Sequence, residues 1–270
     1  TTIMKMMTGF LEPTSGTITI DGLEIAAGRQ KIQEKIGYLP ENCPVYPEMS
    51  ILSYLEYCAT LRGIPEERRA AHIREAIKRT ALLDKATQEI ATLSRGYRQR
   101  TGVAQAILHH PSILILDEPT NGLDPTQIKH MRSLITELAE SATVLISTHI
   151  LQEVQAICDR AIIIKDGSLV LDSYLNDLQK STKLLVSIDA EGAEVLDMFK
   201  SLEPVASVSR QSGSGGQPAV NSFELLLTEE CATPDAAALI SSRVHEQGWK
   251  LYGMHFESRN LETVFAEIDT

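Results

Sequence analysis

The stretch Ile113-Leu114-Ile115-Leu116-Asp117-Glu118 decides the fold. Its four aliphatics read as a buried strand. The two carboxylates fall where that strand emerges at its carboxyl end, the edge at which open α/β sheets bind ligands. An Asp in that place can hold Mg²⁺ against nucleotide phosphates, directly or through water. A Glu beside it can orient or deprotonate an attacking water. An acidic strand end that merely caps the next segment has the same composition, so the neighbouring sequence must decide between the two.

Upstream lies Leu93-Ser94-Arg95-Gly96-Tyr97-Arg98-Gln99-Arg100, running into a helical pattern over 103–108. Ser94 reads as an N-cap, and Gly96 has no side chain to block close backbone approach. A helix amino end offers free N–H groups and a positive dipole to an anion. Downstream, Pro119-Thr120-Asn121-Gly122-Leu123-Asp124-Pro125 is a turn-rich loop. A second buried strand, 143–147, then ends at Thr148-His149, which puts His149 at the same sheet edge as Asp117 and Glu118. Each feature alone has a plain structural explanation, whether a capped helix, a turn or a strand-end histidine. Together they converge on one edge.

Further out, residues 1–10 read as a helix with Ile3, Met6, Met7 and Phe10 on one stripe. A Pro13-Thr14-Ser15-Gly16 turn, a short strand 17–20 and an Asp21-Gly22 turn follow. Residues 31–35 look helical, and 36–39 look like a strand ending at Pro40. The pattern over 50–83 is helical, broken at Gly63-Ile64-Pro65, and helix and strand then alternate through Ile164. Such alternation predicts an α/β fold, a parallel sheet with helices packed against it. After Asp172 the order becomes strand 184–188, helix 193–202, strand 205–209, strand 223–227, helix 234–247, strand 251–256 and a closing helix 261–268, with a Ser/Gly-rich loop at 212–216. That β-α-β-β-α-β order resembles a small ferredoxin-like α+β unit. The expected boundary lies near 179–182, giving a core over 1–178, with a helical portion at about 45–108, and a second domain over 182–270.

Composition narrows the function classes. The chain has 270 residues, 43% hydrophobic and 23% charged, which suits a globular protein with a sizeable core. No apolar run approaches the roughly 20 residues that span a bilayer. The net charge of −11 argues against nucleic acid as a partner, because phosphate neutralisation supplies most of such affinity. Cys43, Cys58, Cys158 and Cys231 show no CxxC spacing and read as reduced thiols, in keeping with a cytoplasmic setting.

LSRGYRQR (93–100) resembles the signature motif of ABC ATPases, LILDEP (114–119) their Walker B motif, NGLD (121–124) their D-loop and STH (147–149) their switch-histidine loop. Order and spacing agree, and the likeness covers residues 1 to about 172. It implies a P-loop NTPase core of ABC type with an α-helical subdomain, working with ATP and Mg²⁺. Asp117 would support the metal, Glu118 would be the catalytic base and His149 would touch the γ-phosphate. Ser94 and Gly96 would close over the ATP of a second ATPase subunit, so hydrolysis needs a dimer, and Gln99 and Asp124 are carried over as further nucleotide contacts. Gly37-Tyr38-Leu39-Pro40-Glu41 is similar to the Q-loop, with Glu41 standing where many members have Gln and offering oxygen to the metal or its water. Arg95 occupies the signature's first Gly position, as is common in the export-type branch. Counting back from Gly9 puts Thr1 at the Ser/Thr of the phosphate loop, as a Mg²⁺ ligand, with Thr2 near the α-phosphate. The loop's glycines and lysine then precede Thr1, and a stretch starting there should bind ATP weakly.

The resemblance further implies a groove, between helical subdomain and Q-loop, for a transmembrane permease subunit. Tyr46, Tyr54, Tyr57 and Leu61 either contribute to it or pack the helix core. The C-terminal unit, ending in 260–265, resembles the accessory domain of export-type members and is assigned no chemistry. The expected function is the ATP-hydrolysing subunit of an ABC transporter, an exporter, peripheral on the cytoplasmic face of the cell membrane and closing as a dimer against a separate permease. The alternative is a soluble ABC ATPase acting on ribosomes or nucleic acid, which would carry two cassettes or a long coiled coil. A degenerate, non-hydrolysing partner would commonly lack Glu118 or His149.

Overall fold

In the computed structural model the middle strand of the parallel sheet is β4 (Ile113–Asp117), flanked by β3 (Ile36–Leu39) and β5 (Thr143–Ser147). Pairing runs in step: Ile36 lies beside Ile113, Leu39 beside Leu116 and Asp117 beside Ser147. Successive side chains of a strand alternate between faces, and both faces of β4 are dry. Leu114 and Leu116 enter a core built with α3 (Ile51–Leu61), α4 (Glu66–Arg79), α5 (Arg95–Ile107) and α6 (Pro125–Ala139). Ile115 joins a smaller cluster with Met4 of α1 (Thr2–Met7), Ile20 of β1 (Thr19–Ile20), and Ile25 and Ile32 of α2 (Ile25–Lys35). Four aliphatics in a row make one strand here because each face has helix against it.

The structure describes residues 1–179, 182–211, 220–228 and 234–257, with positions 261 and 265. The Ser/Gly loop at 212–216, Cys231 and most of the expected closing helix lie outside these. By packing, the chain divides into two compact units, Thr1–Ile157 and Cys158–Thr270, so this divide falls before the boundary expected near 179–182.

Turn chemistry sets the remaining elements of the first unit. β1 and β2 (Leu23–Glu24) form an antiparallel pair across Asp21-Gly22. Ser50 caps α3 by accepting from the Ser53 amide at 3.1 Å. The Gly63-Ile64-Pro65 break separates α3 from α4, as the sequence predicts. Arg62, at the end of α3, donates to the Gln33 carbonyl at 3.0 Å and ties α3 to α2. α7 (Leu151–Ile157) closes this unit.

Two expectations need correction. α1 stops after six residues because Gly9 turns left-handed, with φ 71°, and the amides of Phe10 and Leu11 fold back onto the Lys5 carbonyl. Met4 is buried, whereas Ile3 and Phe10 stay exposed, so the stripe Ile3-Met6-Met7-Phe10 is not a core face. Nor does β6 (Arg160–Lys165) extend the parallel sheet. It pairs antiparallel with β7 (Ser168–Tyr174), because Asp166 and Gly167, with φ 52° and 78°, form the two-residue turn that hairpins favour.

In the second unit α8 (Leu175–Gln179) follows the hairpin. Then β8 (Lys183–Ile188), α9 (Ala193–Lys200), β9 (Val205–Gln211), β10 (Asn221–Leu227), α10 (Pro234–Glu246) and β11 (Leu251–Phe256) form the expected split β-α-β arrangement. The antiparallel sheet has the order β11-β8-β10-β9. Its alternating residues Leu184, Val186, Ile188, Phe223, Leu225 and Leu227 bury against Val195 and Phe199 of α9 and Ile240 and Val244 of α10.

The tightest packing between sheet and helix is at Gly37 of β3, where a Cβ would collide with the Ala106 carbonyl and meet Leu114 and Pro111 at 2.9 Å. Backbone cannot give way as a flexible side chain can. Gly37→Ala should cost about 1–3 kcal/mol or more, as overpacking does, read as a lowered denaturant midpoint. A change below about 0.5 kcal/mol, the scale of an ordinary surface substitution, would show that α5 and β3 are not in this contact.

Candidate functional site

The parallel register brings the ends of β4 and β5 level, and three side chains meet there. Asp117 is buried, with 1% exposure. Its Oδ1 accepts from Thr1 Oγ1 at 3.1 Å and, over a very short distance, from Ser147 Oγ. Its Oδ2 is equally buried and has no partner among the described residues. One step along, the Glu118 amide donates to the Ser147 carbonyl at 3.1 Å and lies 3.2 Å from its hydroxyl. Glu118 itself sits at φ 51°, an uncommon conformation for a residue with a Cβ. Both of its carboxylate oxygens lie 3.0 Å from His149 Nδ1.

Electrostatics follow from this geometry. The Glu118 carboxylate, by hydrogen bond and charge, raises the His149 pKa above its usual value, with smaller contributions from Glu153 and Glu41. The Glu118 side chain is largely covered, at 17% exposure, and the His149 ring is open to solvent at 70%. This set can hold a proton between carboxylate and imidazole and present a carboxylate to water. On β3, Tyr38 also belongs to this neighbourhood: burial, and then the charge of Asp117, push its phenol up, and its hydroxyl is buried without a partner among the described residues.

A hard cation fits the donor set. Mg²⁺ takes oxygen ligands and keeps several waters, and the residues present supply Asp117 Oδ2, otherwise orphaned, next to the Thr1 hydroxyl. A buried carboxylate oxygen with no donor is costly unless a cation or water meets it.

The other expected residues form a second group. Ser94 occupies the N-cap position of α5 but makes no capping hydrogen bond, which corrects its expected capping role and leaves its hydroxyl exposed. A Cβ on Gly96 would come within 2.5 Å of Gln127 Oε1. Gln127 in turn forms a capping box with Asp124 at the start of α6. A Cβ on Gly122 would come within 2.5 Å of the Arg95 guanidinium. The start of α5 and the 119–124 loop are therefore packed together. Gln99, at 6% exposure, is buried on the inner side of α5 and is not presented with Ser94. Thr2 is exposed in the first turn of α1. Among the described residues, none of Ser94, Gly96, Gln99 or Asp124 bonds to Asp117, Glu118 or His149. Ser147 was readable from sequence only as the last residue of a strand, since its hydroxyl acts on a residue 30 positions away.

Residues 1–121 match the family model described as ABC transporter. An uncharacterized ABC transporter ATP-binding protein of Bacillus subtilis, YdbJ, is 39% identical over 68% of this chain and 59% of its own length. The chain thus spans about three fifths of that relative. A second uncharacterized ABC transporter ATP-binding protein, from Alkalihalophilus pseudofirmus, is 31% identical over 99% of this chain and 94% of its own length. Among solved structures, cbiO1 from Clostridium perfringens, part of the ABC transporter complex cbiONQ, superimposes with a TM-score of 0.58 at 29% identity, covering 64% of this chain and 71% of that one. Fold and site thus define a P-loop NTPase of α/β class. The chain belongs to the family of ABC transporter ATP-binding proteins.

The pairing of Glu118 with His149 has a measurable consequence. His149 with a raised folded pKa contributes stability that is present below its unfolded pKa and lost as pH rises through the folded value. In Glu118→Gln, titration of the His149 ring followed by NMR should move down toward the ordinary value of about 6.5. An unchanged titration would mean the two side chains are not paired in solution.

Proposed function

We propose that this chain binds and hydrolyses ATP as the motor subunit of an ABC transporter, coupling dimer closure to movement of a separate membrane permease. The observation that carries this reading is the meeting of Asp117, Glu118 and His149 at the level ends of β4 and β5. Glu118 takes the role of general base toward the attacking water, with His149 holding its carboxylate in place and reaching toward the γ-phosphate. Asp117 and Thr1 would hold Mg²⁺, with Glu41 as a further proposed ligand, and the ion would supply charge neutralisation at the phosphates. Asp117 keeps its free oxygen oriented through the Ser147 hydrogen bond.

Ser94 and Gly96 serve the nucleotide of a second subunit in this reading. Support comes from the exposed position of Ser94 at the start of α5, beside a buried Gly96, and from the absence, among the described residues, of any bond to the Glu118 group. The amino end of α5, together with the free Ser94 hydroxyl, offers N–H and O–H donors to a phosphate arriving from outside. Permease docking is assigned to the helical portion. Tyr46, Tyr57 and Leu61 are exposed there, and Tyr46 and Tyr57 stack edge to face at 5.5 Å. Tyr54 belongs to the core instead, buried with its hydroxyl on the Pro44 carbonyl at 3.2 Å. Export is the direction inferred from Arg95 at the signature's first Gly position, with the protein on the cytoplasmic face of the membrane. No helix among the described residues is long and apolar enough to cross one.

Measured on the full-length protein, Glu118→Gln should lower ATP turnover about 10²-fold or more, the scale of a lost general base. Turnover within twofold of the parent would remove Glu118 from that role. Ser94→Arg should suppress hydrolysis while leaving ATP binding to the isolated monomer within a few-fold. Equal loss of monomer binding would place Ser94 at its own subunit's nucleotide.

A further inference from the structure

Glu153, in the first turn of α7, is a carboxylate with 1% exposure and no salt bridge among the described residues. Burying a charge without a counter-ion is costly, and the cost falls only where hydrogen bonds replace water. The donors here are two threonine hydroxyls. Thr120 Oγ1 donates to Glu153 Oε2 at 2.5 Å and Thr148 Oγ1 donates to the same oxygen at 3.3 Å. Glu153 Oε1 is buried without a partner among the described residues.

The placement of those threonines gives the arrangement its meaning. Thr120, itself buried, stands two residues after Glu118 in the loop leaving β4. Thr148 immediately precedes His149 in the loop leaving β5, and its hydroxyl also accepts from the Ile150 amide at 3.1 Å. One carboxylate oxygen therefore joins the segment carrying Glu118 to the segment carrying His149. On the strand side the same two segments are joined by Ser147, through Asp117 and the Glu118 amide. Glu118 lies between these two cross-links, and His149 immediately follows the second.

We propose that Glu153 is a positioning residue for ATP hydrolysis: its carboxylate clamps Thr120 to Thr148 and so fixes the spacing at which Glu118 and His149 meet the attacking water and the phosphate. The inference rests on the ATPase reading above. Glu153 is itself buried, so in this reading its loss acts on the chemical step rather than on ATP binding. A small misplacement of catalytic groups costs up to about 10²-fold in rate. Gln at this position keeps a carbonyl oxygen to accept from both hydroxyls and places its amide where Oε1 now lacks a partner.

The test compares four variants of the full-length protein by steady-state ATPase kinetics, each checked for folding by thermal unfolding. Glu153→Ala is expected to lower kcat between about 10- and 100-fold with the KM for ATP within about twofold. Glu153→Gln is expected to recover at least half of the parent kcat. Thr120→Val combined with Thr148→Val removes the hydroxyls at nearly constant shape and should reproduce the Ala phenotype, so the proposal stays testable if Glu153→Ala fails to fold. Glu118→Gln, run alongside, separates the two readings: if it leaves turnover intact, the catalytic role of Glu118 on which the clamp rests falls. If Glu118→Gln abolishes turnover while Glu153→Ala and the double valine variant keep the parent kcat, the clamp alone is overturned. A Gln variant as impaired as Ala, or a loss seen only in KM, overturns it as well.

Discussion

The chemistry of this protein depends on β4 and β5 ending level with one another, a constraint set by the pairing of Asp117 with Ser147 across a parallel sheet. Parallel strands carry evenly spaced cross-bonds, so once the aliphatic registers of β3, β4 and β5 lock, the positions of Asp117, Glu118, Thr148 and His149 follow. A one-residue slip would reverse which side chains face the helices and would part Asp117 from Ser147. The Ser147 hydroxyl reinforces the register at the point where it matters, holding Asp117 and lying beside the Glu118 amide.

Burial gives Asp117 its character. One of its oxygens is fully occupied by hydroxyl groups, and the other is buried and unmet. A carboxylate arranged in this way is costly in isolation and favourable once a cation arrives, because the interior that penalises the charge also strengthens its attraction. Glu118 carries the second local cost, a left-handed backbone. Such conformations persist where surrounding bonds over-determine them, and here two bonds to Ser147 and the imidazole of His149 do so. Local strain and the unmet polar atom thus concentrate at one sheet edge, against large apolar cores on both faces of β4.

The second group, at the start of α5, follows a different logic. Arg95 lies over Gly122, and Gly96 lies over the Gln127 that caps α6 with Asp124. A Cβ at either glycine would push the end of a polar side chain off its seat. This packing locks the loop that follows Glu118 against the helix that begins with Ser94, while the Ser94 hydroxyl stays outside. The contact is a physical link between the sheet edge carrying Glu118 and the exposed start of α5.

Much of this was legible in the sequence, because it is written in neighbouring residues. The bounds of β3, β5 and β11, the break between α3 and α4, the β-α-β-β-α-β order of the second unit and the convergence of Asp117, Glu118 and His149 all follow from local periodicity, turn residues and motif order. The missed features depend on distant partners. Whether Met4 or Ile3 faces the core, whether β6 joins the parallel sheet or folds back on β7, and that Gln99 is buried while Ser94 is not, are settled by which element covers which face. The bonds from Ser147 to Asp117 and from Thr120 to Glu153 join residues 30 and 33 positions apart. Most strands and helices and the acidic edge are written in residues close along the chain, since these rest on short-range propensity and apolar patterning. Only the tertiary structure decided how the polar side chains at that edge are paired, since a hydrogen bond requires angstrom-scale approach that no spacing along the chain encodes.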